Sequence, residues 1–328
     1  MKLPHSSLVL AFALSTAAAA LAVRPSDPSG PAAPPCPFAA HNAYPYKGDG
    51  ENKFSAALAA GLKSVEVDET WDPNRRAAVV THDEKPKGDE PELGAFLATL
   101  FRKWQTAPGT GYILVLDLKS SDPNLPRAIH AVLERHAKLL SKMSAGPVSA
   151  SSLFDSASDP FEPGKITVWM SGSGDGKDAY RRSPPGGVYL AFGDRVFNEN
   201  DYKKNVADYF PKAPPAFERF ITMHVQNCMA GAARKGFLGK AEAKLENLKR
   251  HLPFMHGYDS DDTLSATRAA EIASKSRASG YPVRLYVVNG GGIGDHKGTS
   301  AWDLLAKAGI PWIATDDYAQ AAAWWKGR

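Results

Sequence analysis

The feature that most narrows the fold is a regular alternation, along residues 37–325, of short apolar runs with helical patterns. The runs cover 37–41, 63–68, 112–118, 166–171, 188–193, 220–225, 283–289 and 312–315. Most are β-branched or aromatic and lack the polar alternation of a half-exposed sheet, so they read as strands buried on both faces. Helical patterns fall between most of them, at 52–60, 93–104, 125–140, 232–252, 265–279, 303–308 and 318–325. Leu93, Phe96, Leu97, Leu100 and Phe101 recur at helical spacing, Pro126 sits where a first turn tolerates it, and Gly61 and Gly280 close their segments. A short extra strand is expected at 77–81. The segments 171–177 and 183–187 read as loops. Eight strands with intervening helices predict an α/β fold, a (β/α)8 TIM barrel, with an open doubly wound sheet as the alternative. With 328 residues, 43% hydrophobic and 23% charged, the chain is long enough for one barrel and carries the apolar material for its core.

The N-terminus reads as a targeting segment. Lys2 precedes an apolar stretch from Leu8 to Ala22, and Ala20-Leu21-Ala22 offers a small-x-small cleavage site. Residues 1–22 are therefore expected to be a signal peptide, with an uncleaved membrane anchor as the alternative. Residues 23–35, rich in Pro, Ser and Ala, read as a disordered leader, and 36–328 as the barrel domain. The formal charge of +4, without a dense Lys/Arg run, gives no reason to expect nucleic acid as a partner. Cys36 and Cys228 fall at opposite ends of their strands, so two unpaired thiols are expected.

Ionisable residues gather where the early apolar runs end: His41-Asn42, Glu66-Val67-Asp68, His82-Asp83 and Asp117-Leu118-Lys119. Chemistry in parallel α/β folds sits at the carboxyl ends of strands. Glu66 and Asp68, two apart on a strand, point to one face. Two acids on a dry face are costly unless a hard cation such as Mg²⁺ or Ca²⁺ binds them through oxygen; hydrated loop acids are the bland alternative. A structural histidine at 41 and a buried Asp117–Lys119 ion pair are likewise open. His224 and Asn227 end the sixth run, and Asn289 and Asp316 lie at the ends of the last two, where each would line the mouth. Gly290 to Gly294 is glycine-rich but no helix follows at once, as a dinucleotide fingerprint requires. No Gly-x-Ser-x-Gly supports a serine hydrolase.

In their order these pieces carry a resemblance. The stretch from Ala39 to Glu84 resembles the glycerophosphodiester phosphodiesterases and the related phosphatidylinositol-phospholipase-C-like barrel. In those families a His at the first strand precedes a Glu-Asn helix start (Glu51-Asn52), a Glu-x-Asp pair, a second His and an acid-x-Lys on the third strand. Near the C-terminus, 283–289 and Ile313-Ala314-Thr315-Asp316 are similar to the family's last strands. Two positions depart: His41-Asn42 stands where the phosphodiesterases have His-Arg, and Asp117 replaces the usual Glu. His-Asn is similar to the phospholipase C type, in which that Asn ligates metal.

The resemblance implies a metal-dependent phosphoric diester hydrolase. One divalent cation, Mg²⁺ or Ca²⁺, would be held by Glu66, Asp68 and Asp117, with Asn42 as a fourth ligand. His41 and His82 would be the catalytic acid–base pair, in an order left open. Lys119 would sit near the phosphate or hold Asp117, and His224 and Asn289, from their place at strand ends rather than from the resemblance, are expected to bind substrate, a small-molecule or lipid phosphodiester. A lipid would add contact with a membrane surface; no obligate protein partner is expected. A phospholipase-C-type lyase, a glycoside hydrolase using Glu66 with Asp117 and a non-catalytic exported binding barrel are the rival readings.

Overall fold

A computed structural model describes residues 36–44, 52–145, 161–172, 174–198, 201, 204–210, 217–228, 264–286, 288, 292–293, 296–297 and 299–328. These fall in one compact unit, Cys36–Arg328. The expected signal peptide, leader and helix at 232–252 lie outside the described residues, as do Glu51 and Asn289.

Eight parallel strands form the sheet: β1 (Phe38–Ala40), β2 (Ser64–Asp72), β3 (Tyr112–Leu118), β4 (Ile166–Gly172), β5 (Phe192–Phe197), β6 (Glu218–His224), β7 (Val283–Tyr286) and β8 (Trp312–Thr315). They neighbour one another in chain order, and β1 pairs with both β8 and β2. The sheet therefore closes on itself, giving the (β/α)8 barrel and excluding the open sheet. Helices α1 (Asn52–Ala59), α2 (Leu93–Thr106), α3 (Asn124–Glu134), α4 (Gly174–Arg182), α5 (Val206–Tyr209), α6 (Ala266–Ser279), α7 (Ser300–Ala308) and α8 (Tyr318–Lys326) alternate with the strands. Local chemistry sets their limits. Leu93, Leu97, Leu100, Phe101 and Trp104 of α2 are all buried on one stripe. The Ser265 side chain accepts from the Arg268 amide at the start of α6, and Gly280 ends that helix in the left-handed conformation.

In-register parallel partners face the same side, so the pairings identify the barrel interior. Glu66 aligns with Val115, Val115 with Trp169, and Trp169 with Phe192. Toward the amino-terminal end the interior is filled by side chains such as Ile113, Phe192 and Trp312. Above them Trp169 stacks on Phe220, centroids 3.8 Å apart and planes 21° apart. Polar groups occupy the next levels. Asp194 is buried and bonded to Lys177 Nζ (2.8 Å) from α4 and to the Thr222 hydroxyl.

β2 runs four residues past Asp68. It turns back at Asp72, whose carboxylate accepts from the Asn74 and Arg75 amides and pairs with Arg75 Nε at 2.5 Å. The returning strand Ala77–Val80, the expected extra strand, pairs antiparallel with it. This hairpin carries His82 back over Asp68, and the Thr81 amide donates to the Asp68 carbonyl at 3.0 Å.

Three sequence expectations are corrected. The fifth barrel strand is Phe192–Phe197, whereas Val188–Tyr189 belongs to a small sheet with Lys142–Ser144 and Phe161–Glu162. Asp194 and Arg195 interrupt that run, each neutralised by a partner, Lys177 and Glu218. The helix expected at 125–140 ends at Glu134, because Leu140 leaves to bridge Ile166. Much of 171–177 is helical rather than loop, since α4 begins at Gly174.

Trp169, 1% exposed, fills the barrel centre. Trp169→Ala is expected to cost about 3–5 kcal/mol, read as a lower midpoint in a urea melt.

Candidate active site

Strand register builds the centre. Asp68 is the partner of Asp117 on β3, and Glu66 lies one pleat below on the same face. One carboxylate oxygen from each of Glu66, Asp68 and Asp117 lies within 4.8 Å of the other two. Glu66 is 4% exposed and Asp68 fully buried. Burial disfavours the charged form, and neighbouring carboxylates add repulsion. Both act on Asp68, whose pKa is pushed up to about 7 by burial and then by Glu66. Asp117 is shifted upward for the same two reasons.

Two cations answer this charge. Lys119 Nζ lies 2.7 Å from Asp117 and 3.2 Å from Asp68. Its own burial opposes the charge, but the two carboxylates outweigh that and hold its pKa above the ordinary value. Arg284, buried on β7, pairs with Glu66 Oε2. Asp68 Oδ1 is buried without a hydrogen-bond partner among the described residues. An all-oxygen set converging within 4.8 Å, with one orphaned oxygen, fits a hard divalent cation such as Mg²⁺ or Ca²⁺. Glu69 is not part of this set. It points to the other face of β2, is fully buried with neither oxygen partnered among the described residues, and burial drives its pKa well up.

The histidines flank the acids. His41 follows β1, with Nε2 3.8 Å from Glu66 Oε2 and Nδ1 3.0 Å from Asp316 Oδ1. Its carbonyl accepts from the Tyr318 hydroxyl, tying the ring's backbone to α8. Burial pulls its pKa down, but Glu66 and the Asp316 hydrogen bond outweigh this, and the net shift is upward. His82 is half exposed, with Nε2 4.0 Å from Asp68 Oδ2. Partial burial and then Lys119 lower its pKa. Asn42 adopts φ 52°, a left-handed conformation Asn tolerates better than most residues. The Tyr44 hydroxyl donates to Asp68 Oδ2 at 2.6 Å and lies 3.4 Å from Asn42 Oδ1, which places the Asn42 amide beside the acids.

Seven of the expected site residues thus lie at one end of the barrel: His41, Asn42, Glu66, Asp68, His82, Asp117 and Lys119. The last pairs with Asp117, as the ion-pair alternative had it. His224 ends β6, on the wall opposite β2, where its ring meets Tyr286 edge-on at 5.4 Å. Asn289 lies outside the described residues. Asn227 is not at the mouth: it is buried, bonded to the Tyr209 hydroxyl and to backbone carbonyls. Arg284 and Tyr44 belong to no motif in the sequence, although a lone Arg in the apolar run 283–288 is a readable signal. Gly172, at the end of β4, has φ 75°, and a Cβ there would collide with Asp117 Oδ1 and the Leu118 backbone.

Comparison with known proteins finds no matching family model and no curated protein. Solved structures do resemble the chain. A glycerophosphodiester phosphodiesterase from Thermotoga maritima matches at 12% identity and TM-score 0.45, over 89% of this chain and 98% of that one. A calcium-dependent phosphoinositol-specific phospholipase C from Pseudomonas sp. matches at 16% and 0.45, over 87% and 89%. A Ca²⁺-dependent phosphatidylinositol-specific phospholipase C from Streptomyces antibioticus matches at 13% and 0.45, over 88% and 97%. Strand order and closure, rather than these distant likenesses, establish the barrel.

Asp316→Asn removes a negative charge beside His41 while keeping an acceptor oxygen, so the ring's pKa is expected to fall. An NMR titration of the histidine ring protons reads this; an unchanged His41 curve would remove Asp316 from that role.

Proposed function

We propose that this chain is an exported, metal-dependent phosphoric diester hydrolase acting on a glycerophosphodiester or a phospholipid head group. One observation carries the reading: two imidazole Nε2 atoms face a largely buried three-carboxylate cluster, at 3.8 Å and 4.0 Å. Phosphodiester cleavage needs a base for the attacking hydroxyl, an acid for the leaving alkoxide and positive charge for the phosphoryl oxygens. A glycoside hydrolase needs two carboxylates and has no use for this histidine pair.

Glu66, Asp68 and Asp117 would hold the cation, with Asn42 beside them. When bound, it supplies charge neutralisation at the phosphoryl oxygens and a fixed point for the substrate. The histidine environments suggest a division of labour. His82, with a lowered pKa, is suited to take a proton from the nucleophile. His41, raised by Glu66 and Asp316, is suited to deliver one to the leaving oxygen. Asp316 fixes the His41 ring through Nδ1, so Nε2 faces the reaction. Tyr44 steadies Asp68, and Lys119 counters the upward shift that burial and Glu66 impose on Asp68 and Asp117. His224 would contact the substrate from the opposite wall. A lipid substrate would bring the mouth to a membrane surface; Val196, exposed at the end of β5, points toward that opening.

His41→Ala, His82→Ala and Glu66→Gln are each expected to reduce phosphodiester turnover about a hundredfold or more, and chelator to abolish it. The kcat/KM profile should be a bell, rising below pH 6.5 as His82 deprotonates and falling above 6.5 as His41 does. Activity that survives chelator would sink the metal role. Phosphorus NMR of the product separates a hydrolase, giving a monoester, from a lyase, giving a cyclic diester. Export is tested by intact mass: protein recovered outside the host cytoplasm should begin at Val23.

A further inference from the structure

We infer that Arg284 and the divalent cation compete for Glu66, so that Arg284 sets how tightly the site holds its metal; this rests on the metal-dependent reading above. Arg284 is 1% exposed, and its register with Thr222 and Trp312 turns it into the barrel. From β7 it reaches past β8 and β1 to Glu66. The cluster's charge is thereby divided. Lys119 answers Asp68 and Asp117, and Arg284 answers Glu66.

A guanidinium stays charged at any pH the fold survives. Buried as it is, it needs a counter-ion, and among the described residues its Nε has no hydrogen-bond partner, so Glu66 is its anchor. A cation arriving among the three carboxylates meets Glu66 already engaged. Either Glu66 divides its two oxygens between guanidinium and metal, or it releases the guanidinium. In both cases a fixed positive charge stands next to one of the metal's ligands and weakens binding relative to the same cluster without it. Arg284 also orients Glu66, which favours binding, but orienting one carboxylate is worth less than the repulsion of a full charge at that range. The same pairing lets the barrel hold its acids together before any metal arrives.

The test uses the full chain as wild type, Arg284→Met and Arg284→Lys. Calorimetric titration with CaCl₂ and with MgCl₂ gives affinities, and thermal melts in chelator and in saturating cation give stability. Arg284→Met is expected to bind cation about tenfold tighter or more, to melt lower than wild type in chelator and to regain stability with cation. Arg284→Lys, which keeps the charge, should stay near wild type in affinity. In wild type, the Arg284 Nε–H resonance, assigned by its loss in Arg284→Lys, should shift on saturation with cation; this arm holds even if Arg284→Met fails to fold. A folded Arg284→Met with unchanged or weaker cation binding overturns the inference, as does an unshifted resonance in saturated wild type. Wild type that binds no cation fails the metal reading and this inference together, whereas binding that is indifferent to Arg284 fails this inference alone.

Discussion

Three carboxylates held within 4.8 Å at the mouth of a barrel are the arrangement on which the rest of the site depends. Each pair of such charges repels by roughly 3–4 kcal/mol at an effective dielectric near 20. No single neighbour offsets that. Lys119 bridges Asp68 and Asp117, Arg284 pairs with Glu66, and Tyr44 donates to Asp68. The compensation is incomplete, because Asp68 Oδ1 has no partner among the described residues and burial with Glu66 nearby still pushes the Asp68 pKa up. A cluster built this way is stable enough to fold and remains short of positive charge, which is the state a metal site requires.

Barrel closure supplies what the local sequence does not. His41 lies just past β1, near the start of the domain, yet its orienting partner Asp316 and its backbone tie Tyr318 come from the end of the chain. The seam between β8 and β1 brings them together. The second histidine arrives by another route. β2 is longer than its neighbours, and its return strand delivers His82 above Asp68. One imidazole is thus fixed by a long-range contact and the other by a local hairpin. The first is mostly shielded from solvent and raised in pKa, the second half exposed and lowered.

Much of this was legible in the sequence, and for a physical reason. Strands buried on both faces are apolar, so a carboxylate or histidine at their ends stands out, as Glu66, Asp68, Asp117 and His41 do. The same contrast misleads where charge is buried and neutralised. Asp194 and Arg195 broke the fifth run and displaced that strand toward 188–193, although Lys177 and Glu218 answer both. The polar, glycine-rich start of α4 read as loop because nothing in its composition announces a helix. Arg284 visibly breaks its apolar run, but its role is not legible until closure brings β7 within reach of Glu66 on β2. Tyr44 gave no signal at all beyond its closeness to His41.

Gly172 has a different kind of consequence. It has no side chain to offer, yet the volume its Cβ would fill is already taken by the Asp117 carboxylate. Space there is a component of the site in the same sense as an oxygen ligand. A saturation scan scored by turnover would therefore mark position 172 among the essential residues, and a reader of that scan would search in vain for its chemistry. What the position contributes is vacancy, and it limits how far the sequence of β4 can drift while Asp117 keeps its place.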